Sequence, residues 1–121
     1  MLSGGGDGVI VRWEMNDVDD RMVMSGVVGG HDGAVLCLIS LGHVDGSDFF
    51  VSGSADRTVR IWGGGNGCFC CLGVLEGHKR PVRSLTMAKM KNDGQNNVVL
   101  VFSGSLDGEI KVWRIKVNEL R

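Results

Sequence analysis

Two serine–histidine–aspartate trios stand at matched intervals in this 121-residue chain: His31, Ser52 and Asp56, then His78, Ser103 and Asp107. Imidazole, hydroxyl and carboxylate are the groups of a nucleophile, its general base and the orienter of that base. A hydrolytic triad, however, occurs once, on a special turn beside an oxyanion hole. Here the trio recurs, and each time a tryptophan follows the Asp by six residues, as Trp62 and Trp113. A partial copy, Ser3, Asp7 and Trp13, keeps the same Ser-to-Asp and Asp-to-Trp spacing. The tryptophans are 49 and 51 residues apart, and the Gly-His pairs at His31 and His78 are 47 apart. A constellation that returns at a regular period is a structural device, so no enzymatic activity is expected.

Other chemistries are weaker still. The glycine clusters "SGGGDG" and "GGGNG" lack the Gly-Lys-Ser/Thr of a phosphate loop and do not form G-x-G-x-x-G before a helix, so they read as turns. Cys37, Cys68, Cys70 and Cys71 give one C-x-x-C with no second ligand pair at zinc spacing, and they read as small apolar residues in buried strands. No metal, catalytic residue or cofactor is expected. Lys and Arg number 13 against 14 Asp and Glu, without the basic excess that holds nucleic acid or an anionic membrane surface. No apolar run approaches the roughly 18 residues that span a bilayer. No basic-then-apolar leader and no Asn-x-Ser/Thr sequon is present. Nothing in the cysteine pattern demands an oxidising compartment, so an intracellular protein, cytoplasmic or nuclear, is expected.

The elements that must position the recurring residues read as strands. "VIVRW", "TVRIW" and "EIKVW" are short, rich in β-branched residues and end in Trp. Each follows a tight turn built on the Asp. Before the turns lie "FFVSGS" and "VVLVFSGS", after the Gly-His pairs "AVLCLIS" and "PVRSLTM", and between Trp and the next Gly-His "RMVMSGVV" and "CFCCLGVL". No stretch sustains a 3.6-residue apolar period. The fold class is all-β, with four short antiparallel strands per period. A second Gly-His at His43 has only 18 residues before Trp62, too few for three strands, so His43 is expected in an exposed loop, "LGHVDGSD".

This pattern resembles the WD-repeat β-propeller, whose blades are four-stranded sheets. The dipeptide Trp-Asp is absent: Glu14, Gly63 and Arg114 follow the tryptophans. The resemblance implies a hydrogen-bonded tetrad in each blade, His31, Ser52, Asp56 and Trp62 in one and His78, Ser103, Asp107 and Trp113 in the next, with a partial set at Ser3, Asp7 and Trp13. With blade strands labelled a to d from the axis outward, the chain reads b-c-d, a-b-c-d, a-b-c. The expected units are 1–28, a blade without its inner strand, 29–75, a complete blade, and 76–121, a blade without its outer strand. The ring is not closed.

"VSGSADRTVRIW", "CLGVLEGHKRPVRSLTMA" and "FSGSLDGEIKVWRI" look like the C-terminal blades of the plant Jingubang-like WD-repeat proteins. That likeness implies a non-enzymatic protein-interaction scaffold, present here as the C-terminal part of a longer intracellular regulatory protein. The alternative is a truncated product with no activity of its own. By the resemblance, partner contacts map to Asp32, Ala55, Lys79, Arg80 and Leu106, with Ala34 and Pro81 beside them. Open sheet edges and faces predict self-association. The polar stretches "NDVDD" and "AKMKNDGQNN" carry no motif.

Overall fold

The computed structural model describes residues 2–18, 20–44, 47–65, 68–89 and 98–117. Among the described residues ten strands follow one another: β1 (Leu2–Gly4), β2 (Val9–Asn16), β3 (Arg21–Gly30), β4 (Val35–Val44), β5 (Ser47–Ser54), β6 (Val59–Gly65), β7 (Cys68–Leu75), β8 (Val82–Lys89), β9 (Val98–Ser105) and β10 (Ile110–Lys116). They form three antiparallel sheets, β1-β2-β3, β4-β5-β6-β7 and β8-β9-β10. Every hydrogen-bonded neighbour is also a sequence neighbour, as short connections between apolar runs dictate. This is a partial β-propeller whose sheets do not close into a ring.

The sheets bury their faces on each other. Phe49, Val51, Val59 and Ile61 of the middle sheet pack with Val82, Val99, Val101 and Ile115 of the last. Phe50 and Trp62 point the other way and pack with Ile10 and Val28 of the first. Alternation along β5 and β6 thus sends consecutive apolar residues to opposite faces, both covered.

The turn after each Ser-Gly requires a left-handed residue. Gly8 and Gly108 supply it with φ of 85° and 82°, while Arg57 adopts φ 75° at the equivalent place in the middle sheet.

Two expectations are corrected. The backbone of His43 lies in β4, paired with Asp48, rather than in a loop. Gly42, with φ 107°, takes up a register shift after Ser40, so the strand continues where the sequence reads as a turn. The cysteines of β7 do lie on a strand, but Cys70 and Cys71 are exposed, because β7 is the outermost strand of its sheet. Cys37 is half-buried, and burial pushes its thiol up to about 11. Of "AKMKNDGQNN", Ala88 and Lys89 end β8 and residues 90–97 lie outside the described residues. In "NDVDD", Asn16 ends β2 and residue 19 lies outside them too.

Candidate functional site

The β5–β6 turn fixes the site in the middle sheet. Asp56 Oδ1 accepts from the amide of Thr58 at 2.9 Å and from its hydroxyl at 2.5 Å, an Asx turn that aims the other carboxylate oxygen outward from the turn. That oxygen, Oδ2, lies 2.8 Å from His31 Nδ1. A carboxylate only accepts, so Nδ1 carries the proton and Nε2 is left as an acceptor. His31 Nε2 is 2.5 Å from Ser52 Oγ, whose hydroxyl donates to it. The Ser52 oxygen in turn accepts from Trp62 Nε1 at 2.8 Å. Ser52 is fully buried and His31 nearly so. Inside this low-dielectric layer every group of the set is paired, which is what makes such a network favourable.

In the last sheet Trp113 Nε1 donates to Ser103 Oγ at 2.7 Å, and His78 Nε2 meets the same oxygen at 2.7 Å. The fourth member stands back: His78 Nδ1 is 3.7 Å from Asp107 Oδ2, too long for a hydrogen bond, and this nitrogen is buried without a partner. The difference traces to one position. Where the middle sheet has Thr58, the last has Glu109, which gives Asp107 only its backbone amide at 2.8 Å and sends its carboxylate to Lys111 at 3.5 Å. Glu109→Thr is therefore expected to draw Asp107 onto His78 and to stabilise the fold by about 0.5–1.5 kcal/mol, the net worth of one hydrogen bond. Urea melts of the two proteins measure this, and an unchanged or lowered midpoint would rule out the threonine explanation. In the first sheet Ser3 accepts from Trp13 Nε1 at 2.8 Å, and Asp7 Oδ1 accepts from the amide of Val9 at 3.0 Å.

Charge at these sites follows from burial and bonding. Burial pushes the His31 imidazole below its ordinary value of 6.5, and Asp56 only partly offsets it. For Asp56, burial acts upward, but the bonds from Thr58 and His31 outweigh it and hold the carboxyl below the usual range. The partly covered Asp107 is held below the usual range mainly by the Glu109 amide. A histidine whose folded value is depressed binds fewer protons folded than unfolded, so it favours unfolding as pH falls through 6.5. Asp56 has the same sign at lower pH. Stability is thus expected to decline steadily on acidification below neutrality, with His31→Asn flattening the first part of that decline. Denaturant midpoints between pH 8 and 5 check it, and a rise on acidification would contradict the neutral, buried His31.

The same bonds tie two loops of the middle sheet, and two of the last, together at one end. Asp56 Oδ2 also accepts from the amide of Asp32 at 3.1 Å, and Ala55 donates its amide to the Ala34 carbonyl at 2.9 Å. In the last sheet Asp107 Oδ2 accepts from Lys79 N at 3.2 Å, and Leu106 donates to the Pro81 carbonyl at 3.2 Å. Asp32, Ala55, Lys79, Arg80 and Leu106 therefore share one rim, and all but the partly covered Ala55 are exposed. Sequence reasoning missed Ser54 and Ser105. Their hydroxyls donate to the Gly33 and Arg80 carbonyls at 3.1 and 3.0 Å and accept the turn Asp amides, closing the same loop pairs. The repeated second serine of "SGS" was the available signal, and Thr58 had none outside its own copy.

Chemically, the arrangement suits support rather than turnover. The hydroxyls of Ser52 and Ser103 are wholly buried and engaged, with no approach for a substrate. Among the described residues no group of three or more His, Cys, Asp or Glu is placed to hold a metal. A cleft of about 440 Å³ lies at the opposite ends of the strands, between β1–β2 and β4–β5, where the Arg12 guanidinium sits 5.3 Å over the Phe69 ring.

A family model described as "WD domain, G-beta repeat" matches residues 20–63 and 69–114. The chain belongs to the WD-repeat family. Each matched WD repeat runs from the outer strand of one sheet through the three inner strands of the next, β3 to β6 and β7 to β10, so the repeats interlock the sheets covalently. Relatives include cell division control protein 4 of Candida albicans, 30% identical with all of this chain aligned to 18% of that protein. The small ribosomal subunit protein RACK1z of Oryza sativa subsp. japonica is 30% identical over 86% of this chain and 32% of its own length. Elongator complex protein 2 of Drosophila melanogaster is 27% identical over 98% of this chain and 14% of its own. The WD-repeat chain thus spans less than a third of each of these relatives. WD-repeat proteins typically act as non-enzymatic scaffolds that bind other proteins.

Proposed function

We propose that this chain is a protein-docking platform whose contact surface is the rim carrying Asp32, Ala55, Lys79, Arg80 and Leu106. The observation that carries the reading is the stitching of each post-histidine loop to its neighbouring Asp turn through the shared carboxylates of Asp56 and Asp107. Loops held in this way keep their exposed side chains in fixed positions, which lowers the ordering cost of binding. Lys79 and Arg80 favour an acidic segment of the partner, with the half-exposed Leu106 beside them as an apolar contact. In this reading the tetrads are structural, and the three repeat units are 1–28, 29–75 and 76–121. The chain works as the C-terminal part of a longer WD-repeat protein of the plant Jingubang-like kind. The small share of its relatives' length that it spans supports that reading. A cytoplasmic or nuclear setting fits relatives named for the ribosomal subunit and for ribosome biogenesis. The test is proximity labelling with the longest natural form, wild type against a Lys79→Glu, Arg80→Glu variant. Loss of a defined set of partners at unchanged protein level supports the rim, and an identical partner set overturns it.

A further inference from the structure

Opposite the tetrad serine, the middle and last sheets each carry a cation, and only one of the two has a counter-ion. In β10 the residue opposite Ser103 is Lys111, and its Nζ lies 3.5 Å from the Glu109 carboxylate. In β6 the residue opposite Ser52 is Arg60. Thr58 stands there in place of Glu109, and its hydroxyl is committed to Asp56. Among the described residues the Arg60 guanidinium makes no ion pair and no hydrogen bond, and its Nε is buried without a partner. The threonine that completes the His31 network therefore leaves Arg60 without an acid.

The strands fix where this cation points. Val59 and Ile61 face the last sheet, and Trp62 packs on Ile10 and Val28 of the first. Alternation along β6 puts Arg60 on the Trp62 face, in the seam between the first and middle sheets. Ser52 of β5 and Val74 of β7 flank it. All of these strands lie within the described residues, so the seam needs neither end of the chain. The charges of Arg60 and Asp32 act on the His31 ring in opposite senses, which places both near the rim, yet the two make no ion pair with each other. Arg60 as a whole is only partly covered. Its buried Nε holds the side chain down, and the Nη end remains open to solvent.

We propose that the Nη end of Arg60 is an oxyanion site of the docking rim, filled by a carboxylate or phosphate group of the bound partner. The site rests on the docking reading for the source of the anion. A guanidinium presents paired N–H donors in a fixed fork that matches either group. The packed stem holds that fork in place before binding, which lowers the ordering cost. Lys79 and Arg80 lie in the loop that joins the middle sheet to the last. The partner segment thus carries negative charge on both sides of the middle sheet.

Proton–nitrogen NMR of the 121-residue chain, titrated with sodium phosphate and separately with sodium acetate at constant ionic strength, tests the site. The buried Arg60 Nε–H is shielded from exchange and gives its own signal. The expected result is a saturable shift of that signal, and the anion with the lower half-saturation identifies the group the partner supplies. Arg60→Gln abolishes the accompanying response at the Trp62 indole, and that indole's signal without anion shows whether the variant is folded. Glu109→Thr tests the counter-ion argument in the other sheet: it releases Lys111, and a new saturable response arises at the Trp113 indole. No saturable response at Arg60, an identical response in Arg60→Gln, or no new response in Glu109→Thr would overturn the proposal. Partners lost on reversing Lys79 and Arg80, with no anion response at Arg60, would discard the oxyanion site and keep the rim. The opposite pair of results would discard the rim and keep the anion site.

Discussion

Phe50→Ala is expected to lower the free energy of unfolding by about 3–5 kcal/mol, the range for removing a fully packed aromatic ring. Phe50 is among the largest wholly buried side chains. Its ring stacks at 14° on Trp62 with centroids 6.2 Å apart, and meets Phe69 edge-on at 67° and 5.4 Å. It also belongs to the cluster that joins the middle sheet to Ile10 and Val28 of the first. Removing it therefore opens a void at a joint between two sheets, where neither sheet can shift without losing register with the other. The melting temperature should drop by about 10 °C or more. Phe50→Leu should recover much of the loss by refilling the volume. A change below about 1 kcal/mol for Phe50→Ala would mean that the first and middle sheets are not packed in this way.

Ser52→Ala should cost about 2–4 kcal/mol, although it deletes a single oxygen. That oxygen accepts from the Trp62 indole and its hydrogen goes to His31 Nε2. The substitution leaves a buried N–H and a buried ring nitrogen unpaired, each at about 1–3 kcal/mol. Ser103→Ala should cost less. His78 already lacks a partner at Nδ1, and Trp113 is only half-buried, so the unpaired indole has water within reach. Chemical denaturation of the two variants side by side gives the comparison. Equal losses, or a larger loss at Ser103, would contradict the inequality between the two networks.

The architecture was largely legible in the sequence because three independent signals agree. β-Branched runs mark the strands, Asp turns separate them, and the returning Trp sets the period. The extent of individual strands was less so. β4 runs on through "LGHV", which reads as a turn, because a register shift at Gly42 absorbs the irregularity while the hairpin with β5 continues. The exposure of Cys70 and Cys71 was hidden for a different reason. A continuous apolar run looks the same in a central and an outermost strand, and only the sheet order separates them. At the site, residue types and spacing name possible partners but not distances. That is why the near-identical wording of two copies conceals a 2.8 Å contact at His31 and a 3.7 Å gap at His78. The contribution of Thr58 appears only once Asp56 is seen to be held at both oxygens.

Imidazole, hydroxyl, indole and carboxylate in the middle sheet form one directional network that holds the fold together. It fixes the tautomer of one ring: His31 must carry its proton on Nδ1, facing Asp56, and present a bare Nε2 to Ser52. Nitrogen-15 NMR of the two ring nitrogens at neutral pH reads this directly. The expected result is a single neutral species protonated at Nδ1 that titrates below the ordinary imidazole value. A ring protonated at Nε2, or one that averages between tautomers and titrates near 6.5 as a free imidazole does, would contradict it.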